Sequence, residues 1–204
     1  MTPELEAYRS QAVYYDERTR PFQHWRELVV DELAAGPGDT VLDVGCGTGL
    51  CLSRLREKVG STGTVVGIDE SEEMVSLAGR RVAEQGWDNV QLVSADVTEA
   101  PLEHAADAVI FCAVHDVMQS SEALGNIFDH LRDGASVAAV GGKWPSPWLW
   151  QFRAWVTALH SPFVRDFHGF DMPWRLLTDF VPDLNVREVA AGAGYLATGH
   201  AKRA

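Results

Sequence analysis

The chain has 204 residues, 46% apolar and 23% charged, with 17 Lys and Arg against 29 Asp and Glu for a formal net charge of −12. At ~150 residues per domain this is one domain with an appendage, long enough to bury ~70% of its extended surface without disulfide or metal support, which excludes wholesale disorder. The negative field repels phosphate backbones and anionic bilayers, and so weighs against nucleic-acid binding and polybasic membrane attachment.

Residues 1–10 carry Glu4 and Glu6 and no apolar run, so no secretory signal is expected there. Residues 21–35 read as an amphipathic helix: Pro21 suits its first turn, Phe22, Trp25, Val29 and Leu33 recur at helical spacing, and Gly36-Pro37-Gly38 ends it. A buried strand is expected from Thr40 to Val44, running into Gly45-Cys46-Gly47-Thr48-Gly49 and a helix with Leu50, Leu52 and Leu55 inward. Residues 64–68 form a second apolar run that closes on Asp69-Glu70, and Ser71 caps a helix to residue 83. Strands at 90–94, 108–113 and 136–140, with a helix at 122–131, continue an alternation that implies a parallel sheet covered on both faces. Residues 186–191 and 194–201 are separated by Gly192-Ala193 alone. That gap permits a hairpin and forbids a helical crossover, so one of these strands is expected to be antiparallel.

Residues 143–185 break the pattern and hold five of the seven tryptophans: Trp144, Trp148, Trp150, Trp155 and Trp174. Long inserts of this kind serve as lids or binding walls. The chain divides into an N-terminal helical cap (1–35), a core (36–142), an aromatic insert (143–185) and a terminal hairpin (186–204), all within one domain. Cys46, Cys51 and Cys112 are too few and too unevenly spaced for a disulfide framework or a zinc site, so no metal is expected and the chain reads as reduced and cytoplasmic. No run approaches the ~18 apolar residues of a membrane span.

The glycine cluster carries the chemistry. Glycines let the backbone turn sharply and bring its N–H groups against a ligand. A dinucleotide loop, G-x-G-x-x-G, needs a glycine at position 50, where Leu50 stands, and the acid inside the strand, Asp43, is foreign to that pattern. Read as D-x-G-x-G-x-G, the segment Asp43 to Gly49 closely resembles motif I of the class I S-adenosylmethionine-dependent methyltransferases, a resemblance that extends over roughly residues 36–142 and recurs in the terminal hairpin. It implies a Rossmann-like α/β fold, a doubly wound seven-stranded sheet that is mostly parallel with the last strand antiparallel, and S-adenosyl-L-methionine as donor, leaving S-adenosyl-L-homocysteine as product.

Carried over residue by residue, the resemblance places the cofactor's amino-acid end at Asp43, Gly45, Cys46, Gly47 and Gly49. Asp69, with Glu70 next to it, meets the ribose hydroxyls, and Met74 lies against adenine. Asp96 and Val97, after the third strand, contact the adenine edge, and Cys112 ends the fourth strand facing the sulfonium. Tyr14-Tyr15-Asp16 resembles the Y-D before the first core helix, which makes Tyr15 a cofactor contact and Tyr14 a substrate contact. Residues 131–135 resemble the L-x-P-G-G turn before the fifth strand but depart from it twice.

Methyl transfer from a sulfonium needs proximity first and a general base only for a protonated nucleophile. His115 is the candidate base, and a structural or cofactor-contacting role is equally open to it; Asp116 either orients it or caps the next turn. Trp144, with Lys143 beside it, His160 and His168 are candidate substrate contacts, while packing or a homodimer interface is the competing use of the aromatic insert. The expected function is methyl transfer to a hydrophobic or aromatic small molecule. Its rivals are a methyltransferase for a membrane lipid or quinone, with the insert as interfacial contact, and a non-catalytic S-adenosylmethionine-binding interaction protein.

Overall fold

The computed structural model describes residues 14–103 and 105–202. The reading of residues 1–10, and the cap as far as residue 13, therefore lie outside the described residues. Seven strands form one sheet: β1 (Thr40–Val44), β2 (Thr64–Asp69), β3 (Val90–Ser94), β4 (Ala106–Cys112), β5 (Leu131–Gly142), β6 (Asn185–Val189) and β7 (Gly194–His200), in the order β3-β2-β1-β4-β5-β7-β6. The pairs β1–β2, β2–β3, β1–β4 and β4–β5 are parallel, and β7 runs antiparallel to both β5 and β6. The Gly192-Ala193 gap thus makes a hairpin, and β7 is its reversed strand. Strand order reverses between β1 and β4, and the crevice above their carboxyl ends is where ligands bind in doubly wound sheets.

Period-2 alternation sorts the two faces. Val41, Val65, Ala108, Ile110 and Ala138 pack under α1 (Gln23–Glu32), α2 (Leu52–Val59) and α3 (Glu72–Glu84), which contribute Val29, Val30, Leu52, Leu55 and Ala78. Leu42, Val44, Val109, Phe111, Val137 and Ala139 face the other layer, built from α5 (Ser121–Asp129) and the stretch around Leu177 and Val181. Between β4 and α5 lies the single turn α4 (His115–Met118), and the 143–185 stretch contributes α6 (Arg153–His160) with short 3-10 turns at Pro147–Phe152 and Arg175–Asp179.

Three expectations shift. The helix after the glycine cluster starts at Leu52, not at Leu50: Gly49 adopts φ 80° and its N–H bonds back to Cys46 O at 2.9 Å, so the turn uses residues that helical periodicity had claimed. Leu131 belongs to β5, where it pairs with Ala106 across a register shift, instead of ending α5 at Asp129. The 131–135 segment is consequently the start of a strand, with Gly134 N–H donating to Ala201 O at 2.8 Å.

Phe111 is fully buried in β4 and Trp148 is 76% exposed. Phe111→Ala is expected to cost ~3–5 kcal/mol in urea denaturation, and Trp148→Ala to stay within about 0.5 kcal/mol of the parent chain.

Candidate functional site

Two clefts meet above the carboxyl ends of β1, β2 and β4. The first has an enclosed and solvent-open space of ≈ 1060 Å³, walled by Gly45, Gly47, Asp69, Glu70, Met74, Asp96, Val97 and Arg165. The second, ≈ 1340 Å³, is bounded by Phe22, Trp25, Arg26, Trp155, His160, Phe170 and Tyr195. Tyr15, Cys112, Ala113, Val114, His115 and Phe163 line both. One thin wall therefore separates a polar chamber from an aromatic one.

The glycines of the loop are not interchangeable. A Cβ on Gly45, at φ 67°, would lie 2.3 Å from Val114 Cγ1, so that residue keeps the loop against the shared wall. Gly49 would meet Leu52 Cδ1 at 2.6 Å and keeps the loop down on α2. Gly47, at φ 55°, has Tyr15 Cε1 as its nearest neighbour at 4.0 Å, and its backbone is bare toward the first cleft. Cys46 Sγ points away from both clefts toward Gly67, where an added Cβ would lie 3.0 Å from it. Cys46 and Gly49 thus support the loop without lining a cleft.

Asp69 ends β2 and accepts the N–H of Gly47 at 2.8 Å and of Ser71 at 3.0 Å, each on a different oxygen. Burial raises its pKa while those two N–H groups oppose the rise. Ser71 in turn caps α3, accepting from Met74 N at 3.3 Å. Asp96 is exposed and accepts from Thr98 N at 2.8 Å and Thr98 Oγ1 at 2.7 Å, bonds that lower its pKa. Asp16 ties the 14–19 helical turns to the loop, accepting from Thr48 Oγ1 and, at 2.6 Å, from Arg81 Nη2.

Asp43 is 1% exposed, and its Oδ2 has no hydrogen-bond partner among the described residues. Burial, with Asp69 adding to it and Arg26 opposing, pushes its pKa up to about 7. It lines neither cleft but lies directly behind the loop, and an orphaned buried carboxylate oxygen beside a bare glycine backbone fits a ligand with N–H donors.

His115 is 8% exposed. Its Nε2 lies 3.0 Å from His168 O, and a carbonyl only accepts, so Nε2 carries the hydrogen and Nδ1 keeps its lone pair. Nδ1 has no partner among the described residues. Burial lowers the pKa of the ring, with the His168 carbonyl opposing, so the neutral form dominates at pH 7. Asp116 neither orients this ring nor caps α4. Its Oδ2 sits 3.7 Å from Arg165 Nε, and that arginine also pairs with Glu70 across the mouth of the first cleft.

The remaining sequence candidates separate. His160 lines the second cleft, its Nδ1 donating to Val156 O at 3.0 Å and burial lowering its pKa. His168 is exposed and lines neither cleft; it acts through its backbone carbonyl on His115. Tyr14 is exposed and away from both clefts. Trp144 stacks on Phe167 with centroids 5.0 Å apart, under the Arg153 guanidinium at 4.1 Å, and packs the insert instead of lining a cleft. Lys143 is buried and donates to Glu188 Oε1 and Trp144 O, both at 2.9 Å, so the anion it meets belongs to the chain's own hairpin.

Sequence reasoning missed Arg26, Phe163, Ala113 and Arg165. Arg26 had a signal: it falls four residues after Phe22 and three before Val29, on the apolar stripe of its own helix. Ala113, at φ 60° in the shared wall, has none, because no residue preference marks a non-glycine forced into that region.

A family model described as a methyltransferase domain matches residues 35–140. The chain belongs to that family, the class I S-adenosylmethionine-dependent methyltransferases. A demethylmenaquinone methyltransferase of Staphylococcus aureus is 42% identical over 147 residues, 71% of this chain and 59% of that protein. An uncharacterized 37.1 kDa protein of a Streptomyces fradiae transposon is 33% identical over 152 residues, 70% of this chain and 43% of its own length. The chain thus spans about half the length of these two relatives. The crystal structure of a SAM-dependent methyltransferase from Aquifex aeolicus shares the fold at TM-score 0.68 and 24% identity, covering 94% of this chain and 97% of that one.

The raised pKa of Asp43 has a thermodynamic consequence. The folded state binds this proton more tightly than the unfolded state, so the stability it contributes is fully present below the ordinary value of 3.8, falls as pH rises toward about 7, and stays low above that. Asp43→Asn is expected to remove this slope: in denaturant titrations its stability relative to the parent should rise by something on the order of 4 kcal/mol between pH 4 and pH 8. A flat difference across that range would contradict the assignment.

Proposed function

We propose that this methyltransferase holds S-adenosylmethionine in the first cleft and transfers its methyl group to an apolar or aromatic small molecule in the second. The observation that carries the reading is the wall common to the two clefts, which brings the ends of a polar chamber and an aromatic chamber together at Cys112 to His115. When bound, S-adenosylmethionine supplies an electrophilic methyl on a sulfonium, with a neutral thioether as leaving group. The N–H groups of the loop, with the Asp43 carboxyl buried behind them, suit its charged amino-acid end, Asp69 its ribose, and Met74 and Val97 its adenine.

The protein's own work is then alignment, exclusion of water and removal of a proton. Burial of the wall and the aromatic lining of the second cleft supply the first two. The third falls to His115, whose Nδ1 is the nitrogen that the His168 carbonyl leaves unprotonated; Nδ1 is buried in the wall, so the acceptor has to uncover it to give up a proton there. Tyr15, whose phenol burial pushes up to about 12, stays a neutral hydrogen-bond donor at the junction. Because no helix among the described residues is long and apolar enough to cross a membrane, the acceptor has to reach the second cleft by diffusion or from a surface.

A second reading has its own observation. Trp148 and Trp150 are exposed, and Trp155 is both exposed and part of the aromatic cleft, an arrangement suited to an acceptor drawn from a bilayer interface, such as a lipid or quinone. Turnover stimulated by zwitterionic liposomes and lost in Trp148→Ala/Trp150→Ala favours it; turnover indifferent to liposomes favours the first.

Calorimetry with S-adenosylhomocysteine tests the donor site: binding in the micromolar range is expected, weakened at least ~10-fold in Asp69→Ala, equivalent to about 1.4 kcal/mol. Absence of binding in the parent chain would overturn the reading. For the base, the kcat/KM profile is expected to rise with pH through a pKa below the ordinary imidazole value and to plateau by neutrality, since only the neutral ring accepts a proton. His115→Ala should lower kcat by ~10²-fold and abolish that limb; an unchanged limb would remove His115 from the proton transfer.

A further inference from the structure

Among the buried described residues, four carry acidic or basic side chains: Arg26, Asp43, His115 and Lys143. Lys143 has Glu188 as counter-ion. Arg26, 8% exposed in α1, has no carboxylate paired with it among the described residues. Its Nη1 donates to Thr19 O at 3.0 Å and Gln23 Oε1 at 3.4 Å, and the guanidinium also bonds the Tyr15 hydroxyl. A guanidinium offers five N–H groups in a planar fork whose shape matches a carboxylate. Removing such a cation from water without a counter-ion costs several kcal/mol.

Arg26 borders the aromatic cleft and not the glycine-loop cleft, in the company of Tyr15 and His115. The rest of that cleft is mostly flat and apolar: Phe22, Trp25, Trp155, Phe163 and Phe170. Among the described residues the buried Asp43 carboxyl feels its charge without an ion-pair contact, so an anionic group on an occupant of the cleft would find the guanidinium open to pairing. We propose that Arg26 recognises an oxyanion on the acceptor, and that the acceptor is an aromatic or otherwise apolar molecule carrying a carboxylate or similar group. This rests on the two-cleft reading above, and it narrows the substrate class from apolar molecules to amphipathic anions. Tyr15 stands next to the same group as a neutral donor, and His115 lines the same cleft.

The test uses two probes of equal shape, cinnamate and cinnamyl alcohol, titrated into the full chain by calorimetry, with S-adenosylhomocysteine titrated separately. Cinnamate is expected to bind the parent ~10-fold or more tightly than the alcohol, the preference shrinking to ~2-fold or less in Arg26→Gln and surviving in part in Arg26→Lys. S-adenosylhomocysteine affinity should not change in either variant. No preference for the anion in the parent, or a preference that survives in Arg26→Gln, would overturn the proposal. So would a loss of S-adenosylhomocysteine affinity in Arg26→Gln with the cinnamate preference intact, which would assign the guanidinium to the cofactor's carboxylate. If Arg26→Gln fails to fold, the parent comparison and Arg26→Lys decide. Failure of S-adenosylhomocysteine to bind the parent would sink the methyltransferase reading while leaving the anion preference to be judged on its own.

Discussion

The site depends first on one carboxylate. Asp69 stands at the end of β2, and its two oxygens accept from Gly47 and Ser71. The first bond fixes the glycine loop in a conformation with positive φ at Gly45, Gly47 and Gly49. The second fixes the residue that caps α3, whose Met74 then comes to line the first cleft. Charge-assisted bonds of this kind are worth about 1.5–3 kcal/mol each, enough to hold a short loop whose glycines have no side chains to pack. Around that tie the sheet does the rest, since the strand-order reversal between β1 and β4 leaves a crevice that neither layer of helices can fill.

Charge is divided between the chambers in a way that follows from which element reaches them. The first cleft receives the ends of β2 and β3, which bring the acids Asp69, Glu70 and Asp96. The second receives α1 and the insert, which bring Arg26, His160 and a set of aromatic rings. Phe170 is the hub of that set, with His115, Trp144 and Phe167 each 5.0 Å away and His160 at 5.3 Å. Edge contacts of this type add ~0.5–1.5 kcal/mol per pair beyond area, so the insert is held to the wall by rings more than by ion pairs.

How far sequence alone reached follows from the range of the interactions. β1, the glycine loop, β2 and the Ser71 cap were legible because each is decided within about ten neighbouring residues, by period, glycine spacing and capping chemistry. The hairpin was legible because two residues cannot bridge parallel strands. The start of α2 was not, since Leu50 satisfied the helical period while the Gly49 turn overrode it. His115 was found by its place after the fourth strand, but its tautomer is set by a carbonyl 53 positions away. Lys143 and Trp144 looked like acceptor contacts because they follow β5 directly. Glu188 and Phe167, brought in by the hairpin and the insert, use them for packing instead.

The overall charge of −12 at first seems hostile to an anionic acceptor, and magnitudes decide the question. Exposed acids more than a Debye length away, ~8 Å at physiological salt, are largely screened. A guanidinium in contact at ~4 Å is worth about 1 kcal/mol per unit charge in water and about 4 at the effective dielectric of a protein site. Arg26 is buried, so its field falls in the second regime, while most of the acids that produce the net charge lie in the first. The influence is visible on both the buried Asp43 carboxyl and the Tyr15 phenol, which Arg26 pulls down against the effect of burial. The cleft therefore presents a local positive potential inside a negative molecule. That combination slows the approach of anions from a distance and favours those whose apolar body is drawn into the aromatic walls before the charge is paired.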